Sequence, residues 1–186
     1  MEHMRTILGI VLLVVAVLAQ APAADSPTFS LTSTVWHDGK PIPLQSAFSG
    51  FGVGGGNVSP DLAWSGAPAT TQSYALTIYD PDAPTGAGFW HWVVFNIPGT
   101  APGLAAGAGD ATAKTAWTNG LTDYGSHGYG GPAPPPGDAP HHYIVTVYAL
   151  DVPKLDLTPD TTNALLKFMM RGHVVATATL TGTFAR

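Results

Sequence analysis

Residues 73 to 97 read SYALTIYDPDAPTGAGFWHWVVFNI, and this stretch decides the fold. Tyr74, Leu76 and Ile78 alternate with the smaller or more polar Ala75, Thr77 and Tyr79. The run from Phe89 to Ile97 is almost continuously aromatic and β-branched, as expected of a strand buried on both faces. Both segments are therefore strands of one sheet, joined by the turn Asp80-Pro81-Asp82-Ala83-Pro84. Each residue before a proline is pushed towards extended geometry, which predicts that the Asp80 and Asp82 side chains point the same way into one shared mouth. Prolines and aspartates also end strands for purely conformational reasons, so the turn acquires chemical meaning only from the groups that join it.

Working outward, 45% of the 186 residues are hydrophobic and only 10% are charged, the balance of a single globular domain with a sizeable core. Arg5 precedes a wholly apolar run over residues 7–18, followed by Ala21-Pro22-Ala23-Ala24. A positive start, a short apolar middle and a small-residue cleavage site make residues 1–23 a secretory signal peptide, leaving residues 24–186 as one exported domain, periplasmic or secreted. The apolar run is well short of the roughly twenty residues of a bilayer span, so membrane contact is expected only through a lipid head group or an uncleaved leader. The formal charge of -5 argues against a nucleic-acid partner. With no cysteine, the exported chain has no disulfide framework, and its core must supply the stability.

Alternation marks further strands at residues 29–34, 62–64, 141–150 and 177–184, with a turn at Asp38-Gly39 leading to Pro41-Ile42-Pro43. Residues 50–55 match a dinucleotide fingerprint by letter. However, no strand feeds them and Gly56-Asn57-Val58-Ser59-Pro60 follows instead of a helix, which rules the motif out. Residues 98–109 and the segment from Thr118 read as loops. Thr158-Pro159-Asp160 carries the cap, first-turn proline and early acid of a helix start, and Lys167, Arg171 and Gly172 suit its end. Residues 125–140 are rich in glycine and proline, and so long a loop inside a compact domain points to function.

Three segments supply candidate site residues: Asp80 and Asp82 at one strand end, His91 at the start of the next strand, and the Gly/Pro loop leading into His141 and Tyr143. The period of two puts His141 and Tyr143 on one face and His142 on the other. An Asp accepting from one imidazole nitrogen would fix its tautomer and leave the second nitrogen for a ligand. Such a pocket could hold an anion through imidazole and tyrosine donors and through backbone N–H groups of Gly130 and Gly131 acting as a nest. The nearby aspartates oppose an anion, so either a histidine or an aspartate must carry a proton. A metal centre is disfavoured because no His-x-His or His-x-x-x-His spacing occurs and adjacent His141 and His142 point to opposite faces, and a serine hydrolase because no Gly-x-Ser-x-Gly elbow occurs.

Asn57-Val58-Ser59-Pro60 with Leu62 and Trp64, Asp80-Pro81-Asp82-Ala83-Pro84, His91-Trp92, Tyr129-Gly130-Gly131-Pro132 with Pro134 and Pro135, His141 with Tyr143, and Gly172-His173-Val174 occur in this order. In order and spacing the chain resembles the phosphatidylethanolamine-binding protein family, in its bacterial Raf-kinase-inhibitor-like branch, from about residue 29 to 186. The resemblance implies a mainly β fold: a large antiparallel sheet packed on a smaller sheet, a few peripheral helices and one small anion cavity. That cavity would be lined by Asp80, Asp82, His91, Gly130, Pro132, His141 and Tyr143, with a cis peptide at Ala83-Pro84. Two departures stand out. Ala133 lies where the branch often has Cys, which removes a thiol, and His142 lies where Arg commonly follows, which removes a cation.

The function expected is a non-enzymatic, exported binder of a small anionic ligand, a phosphate-like group or phospholipid head group, with neither cofactor nor metal. The alternatives are an inhibitor or interaction protein that meets a protein partner through the pocket rim, and a phosphoester hydrolase using Asp80 and His91 as an acid/base pair. Kinase regulation by eukaryotic relatives does not transfer to an exported chain.

Overall fold

The structure is a computed structural model that describes residues 28–186; the expected signal peptide lies outside the described residues. The chain runs through β1 (Ser30–Thr32), β2 (Lys40–Pro41), a 3-10 turn (Leu44–Ser46), β3 (Leu62–Ser65), β4 (Ser73–Asp80) and β5 (Phe89–Pro98). It continues through β6 (Gly103–Leu104), β7 (Thr118–Asn119), β8 (His141–Leu150), α1 (Asn163–Met169) and β9 (Val174–Phe184). A six-stranded sheet in the order β2-β9-β8-β4-β5-β7 faces a three-stranded sheet in the order β1-β3-β6. The large sheet is antiparallel except at its edge, where β2 pairs parallel with β9. The expected mainly β, two-sheet architecture is therefore what forms.

Both faces of the large sheet are covered, which is why β4 is buried at nearly every position and β5 through its centre. One face carries Tyr74, Leu76, Ile78, Trp92, Val94, Tyr143, Val145 and Val147, packed on Leu31, Leu62 and Trp64 of the small sheet. The other carries Ala75, Val93, Phe95 and Leu150, packed under Leu166 and Met170 of the α1 segment.

Several local expectations are corrected. Among the described residues there is one α-helix, as read from the residues, and it starts at Asn163, not near Pro159. The Thr162 hydroxyl accepts from Leu165 N–H and caps it, while Thr158 and Thr161 close a preceding turn. The loops expected at 98–109 and after Thr118 contain the two-residue strands β6 and β7, too short to show a period. Strand β9 begins at Val174, three residues before the alternating run. No cis peptide occurs among the described residues, so Ala83-Pro84 is trans, the isomer X-Pro favours by default.

Candidate functional site

At the end of the large sheet where β4 finishes and β8 begins, a cavity of about 160 Å³ opens between sheet and loops. Against about 30 Å³ per liquid water, it has room for roughly five water molecules, or one small ligand group. Its polar lining comes from Asp80, Thr85, His91, His141 and Tyr124, and its apolar lining includes Phe51, Phe89 and Pro134. A larger surface depression of about 700 Å³ lies elsewhere, around Asn96, Trp117 and Lys154, but Lys154 is the one titratable side chain on its walls.

Sheet register builds the first half of the site. Tyr79 pairs with Ile144, so the next residue, Asp80, ends β4 beside the start of β8. The Asp80 carboxylate is buried and almost fully engaged. Its Oδ1 accepts from the backbone N–H of Asp82 at 2.9 Å and of Ala83 at 3.1 Å, and its Oδ2 lies 2.8 Å from His141 Nδ1. His141 is buried too, and its Nε2 lies 3.4 Å from an oxygen of Asp138 on the Gly/Pro loop. Carboxylates at both nitrogens fix the ring.

His91 reaches the cavity through an irregularity in β5. Ile78 pairs with Trp92 but Tyr79 with Trp90, so the register slips and His91 has no cross-strand partner. Such bulges re-aim a side chain. Here the imidazole sits on the face of Trp92 and Tyr143, with its ring 5.1 Å from that of Tyr143 and 5.0 Å from that of Phe89. His91 Nδ1 lies 2.8 Å from the Gly130 carbonyl. A carbonyl can only accept, so Nδ1 carries the proton and Nε2 is left with a lone pair. Nε2 is buried and has no hydrogen-bond partner. Burial pushes the imidazole down to about 4, against the smaller opposing influence of the Gly130 bond and the Asp80 charge, so His91 is neutral at ordinary pH.

The Gly/Pro loop forms the opposite wall, and Gly130 and Gly131 in it are required by close packing. A Cβ on Gly130 would sit 2.3 Å from the Tyr124 ring, and one on Gly131 would sit 2.2 Å from the Ser46 carbonyl oxygen. Tyr124 packs into that space, and its hydroxyl donates to the Gly131 carbonyl at 2.8 Å. Asn57, at φ 51, clamps the same loop: its Nδ2 donates to the Tyr129 carbonyl and its Oδ1 accepts from Gly131 N–H.

Family models place the chain directly: the model described as phosphatidylethanolamine-binding protein matches residues 32–185. The chain belongs to the phosphatidylethanolamine-binding protein family. Among relatives in that family, Escherichia coli YbcL is 44% identical over 165 residues, 87% of this chain and 90% of YbcL. Escherichia coli YbhB is 42% identical over 159 residues, 83% of this chain and 99% of its own length. The crystal structure of YbcL superposes with a TM-score of 0.81, covering 85% of this chain and 98% of YbcL. That of the family homolog CT736 from Chlamydia trachomatis gives 0.75 at 34% identity, covering 87% and 99%.

Measured against the expectations for a member of this family, Asp80, His91 and His141 do converge on one cavity. Asp82 does not share it. The turn swings Asp82 outward, where its Oδ2 accepts from the backbone N–H of His142 at 2.7 Å and lies 2.8 Å from that ring's Nδ1. These bonds, the backbone one first, hold the Asp82 carboxyl below its usual range. The reason is positional: Asp80 is the last strand residue, whereas Asp82 lies past Pro81, beyond the pleat. The expected nest is corrected as well, because Gly130 N–H donates to the His91 carbonyl and Gly131 N–H to Asn57. Pro132 stands behind the wall, its carbonyl accepting from Phe48 N–H. Tyr143 is fully buried beside His91; its hydroxyl has no partner, and burial followed by the Asp80 charge pushes the phenol upward. Sequence reasoning missed Tyr124, Phe51 and Asp138, since isolated loop aromatics and a lone Asp carry no periodic signal, and it read Phe89 only as the first residue of a buried strand.

Proposed function

We propose that this chain is an exported, non-enzymatic binding protein that captures a small oxyanion, phosphoryl or carboxylate, in the Asp80–His91–His141 cavity. The observation that carries the proposal is the His91 Nε2 atom, buried and unpartnered, on a residue that lines a cavity sized for one small group. Buried polar atoms are nearly always paired, so an orphan on a cavity-lining residue points to a ligand or water beside it. The engagement of Asp80 supports a role without turnover. Three of its roughly four lone-pair sites are taken by the Asp82, Ala83 and His141 hydrogens, which leaves a poor general base.

Calorimetric titration with inorganic phosphate, phosphoethanolamine and acetate tests the proposal. Saturable heat is expected for the wild-type domain, and its loss in His91→Phe that still unfolds cooperatively. Absence of heat with all three ligands would contradict it. Export is tested by cell fractionation of the full chain, with the mature protein expected outside the cytoplasm.

A second reading, a protein partner met through the rim, draws on Phe51. This residue lines the cavity mouth, is 69% exposed and holds a left-handed φ of 54°, unusual for a large side chain. Pull-down from an exported fraction separates the readings, because His91→Phe would abolish small-ligand heat yet spare a rim contact.

A further inference from the structure

We infer that the protein holds a second ligand site, at the opposite end of β5 from the Asp80–His141 cavity, and that its ligand is an uncharged saccharide. The site is the depression of about 700 Å³ around Asn96 and Trp117, which shares no lining residue with the first cavity. That volume falls within the range of about 300–1,000 Å³ typical of small-molecule sites. It has room for a sugar, not merely for one small ion.

Sheet geometry builds the walls. Tyr74 pairs with Ile97 and Leu76 with Val94, so Phe95 and Asn96 stand against the single Ala75, a bulge in the same strand whose other slip serves His91. Asn96 takes a left-handed φ of 58°, and Leu155 locks its amide: Nδ2 donates to the Leu155 carbonyl at 3.1 Å and Oδ1 accepts from its N–H at 2.7 Å. On one side, β7 pairs Thr118 with Phe95 and brings the segment from Thr115 to Thr118 alongside. On the other, Gly99 N–H donates to the Gln72 carbonyl at 3.1 Å, and a Cβ at Gly99 would sit 2.5 Å from that oxygen. This close approach holds the Pro98–Thr100 corner against Thr71 and Gln72.

The inventory of donors and acceptors decides the ligand class. Two buried side-chain atoms on lining residues have no partner, Thr71 Oγ1 and Trp117 Nε1. Buried polar atoms are nearly always paired, so two orphans on residues of one depression point to a ligand or water beside them. The indole N–H only donates, and the threonine hydroxyl donates or accepts. Acceptors share the walls with them. Thr115 spends its hydroxyl hydrogen on the Trp117 carbonyl at 2.7 Å and keeps its lone pairs, and Gln72 gives Nε2 to the Asp151 carbonyl and keeps Oε1. Walls that donate at one point and accept at the next suit ligand hydroxyls, which do both. A phosphate or carboxylate would satisfy the donors and meet the acceptors lone pair to lone pair. Lys154, the one charged side chain among the lining residues, is exposed, so water already solvates it. Pro98, Ala116 and Pro153 supply apolar surface for the C–H groups of a sugar ring.

The test follows the assigned indole N–H resonance of Trp117 in the nitrogen-15-labelled wild-type protein, titrated with maltose, cellobiose and diacetylchitobiose, and separately with inorganic phosphate. At least one disaccharide is expected to move that resonance saturably, and phosphate to leave it in place. Thr71→Val removes a hydroxyl that bonds no protein group, so the urea midpoint should hold or rise while affinity for that disaccharide falls about tenfold, the scale of one lost hydrogen bond. A Trp117 indole unmoved by all three sugars, its partner then being water alone, would overturn the inference. So would phosphate moving it where sugars do not, or Thr71→Val lowering the midpoint with sugar affinity unchanged.

Discussion

Two Asp–His pairs lie within a few residues of each other and differ in almost nothing but their surroundings. Asp80 and His141 sit 2.8 Å apart with side chains 4% and 5% exposed. Asp82 and His142, also 2.8 Å apart, are 41% and 55% exposed. Residue types, contact distance and connecting strands are shared, so the contrast isolates burial. The inner pair is enclosed, tied to two backbone N–H groups and set on a cavity wall. The outer pair is open to solvent and does not line that cavity. Identical chemistry can therefore anchor a site or decorate a surface, depending on whether the chain delivers it at the buried end of the strand or just past it.

The largest expected effect comes from breaking the inner pair. Asp80→Asn removes a buried charge from three donors and should cost about 3–5 kcal/mol in urea unfolding, since the partners are left buried and unmatched. A loss below about 1 kcal/mol would erase the distinction between the pairs. Next comes acid sensitivity at His91, the neutral imidazole that lines the same cavity as the inner pair. Its folded value is depressed to about 4 from 6.5, so the unfolded chain binds the proton first and stability falls as pH drops through that window. Roughly 3 kcal/mol is at stake, and His91→Phe should flatten that part of the stability curve between about pH 6.5 and 4. Gly130→Ala follows: its methyl would press on the Tyr124 ring and should cost about 1–3 kcal/mol while weakening ligand heat. Smallest is Asp82→Asn on the outer pair, within about 1 kcal/mol and shrinking further in high salt.

How much of this was legible in the sequence follows from what leaves a pattern. β4, β5 and β8 are long and alternate or run apolar, so both their existence and the facing of His141 opposite His142 could be read from period alone. β6 and β7 are two residues each and exist only because a neighbour supplies their partners. The convergence of Asp80, His91 and His141 was expected from strand ends and from the family resemblance. The slip that re-aims His91 was not legible, because nothing in Trp90-His91-Trp92 marks an extra residue and the cause lies in pairing with β4. The shared mouth for Asp80 and Asp82 failed for a related reason: alternation holds inside a pleated strand and stops where Pro81 ends it. The Gly130–Gly131 nest failed because those N–H groups are consumed by His91 and Asn57, a long-range fact invisible in composition.

The most direct measurement is the nitrogen-15 spectrum of the histidine side chains, recorded as inorganic phosphate is added to the labelled domain. The account predicts that His91 is protonated at Nδ1 in the free protein, and that its bare Nε2 resonance moves on binding as it accepts a hydrogen bond, while His142 stays still. A His91 ring protonated at Nε2, or phosphate that shifts His142 and leaves His91 untouched, would contradict it.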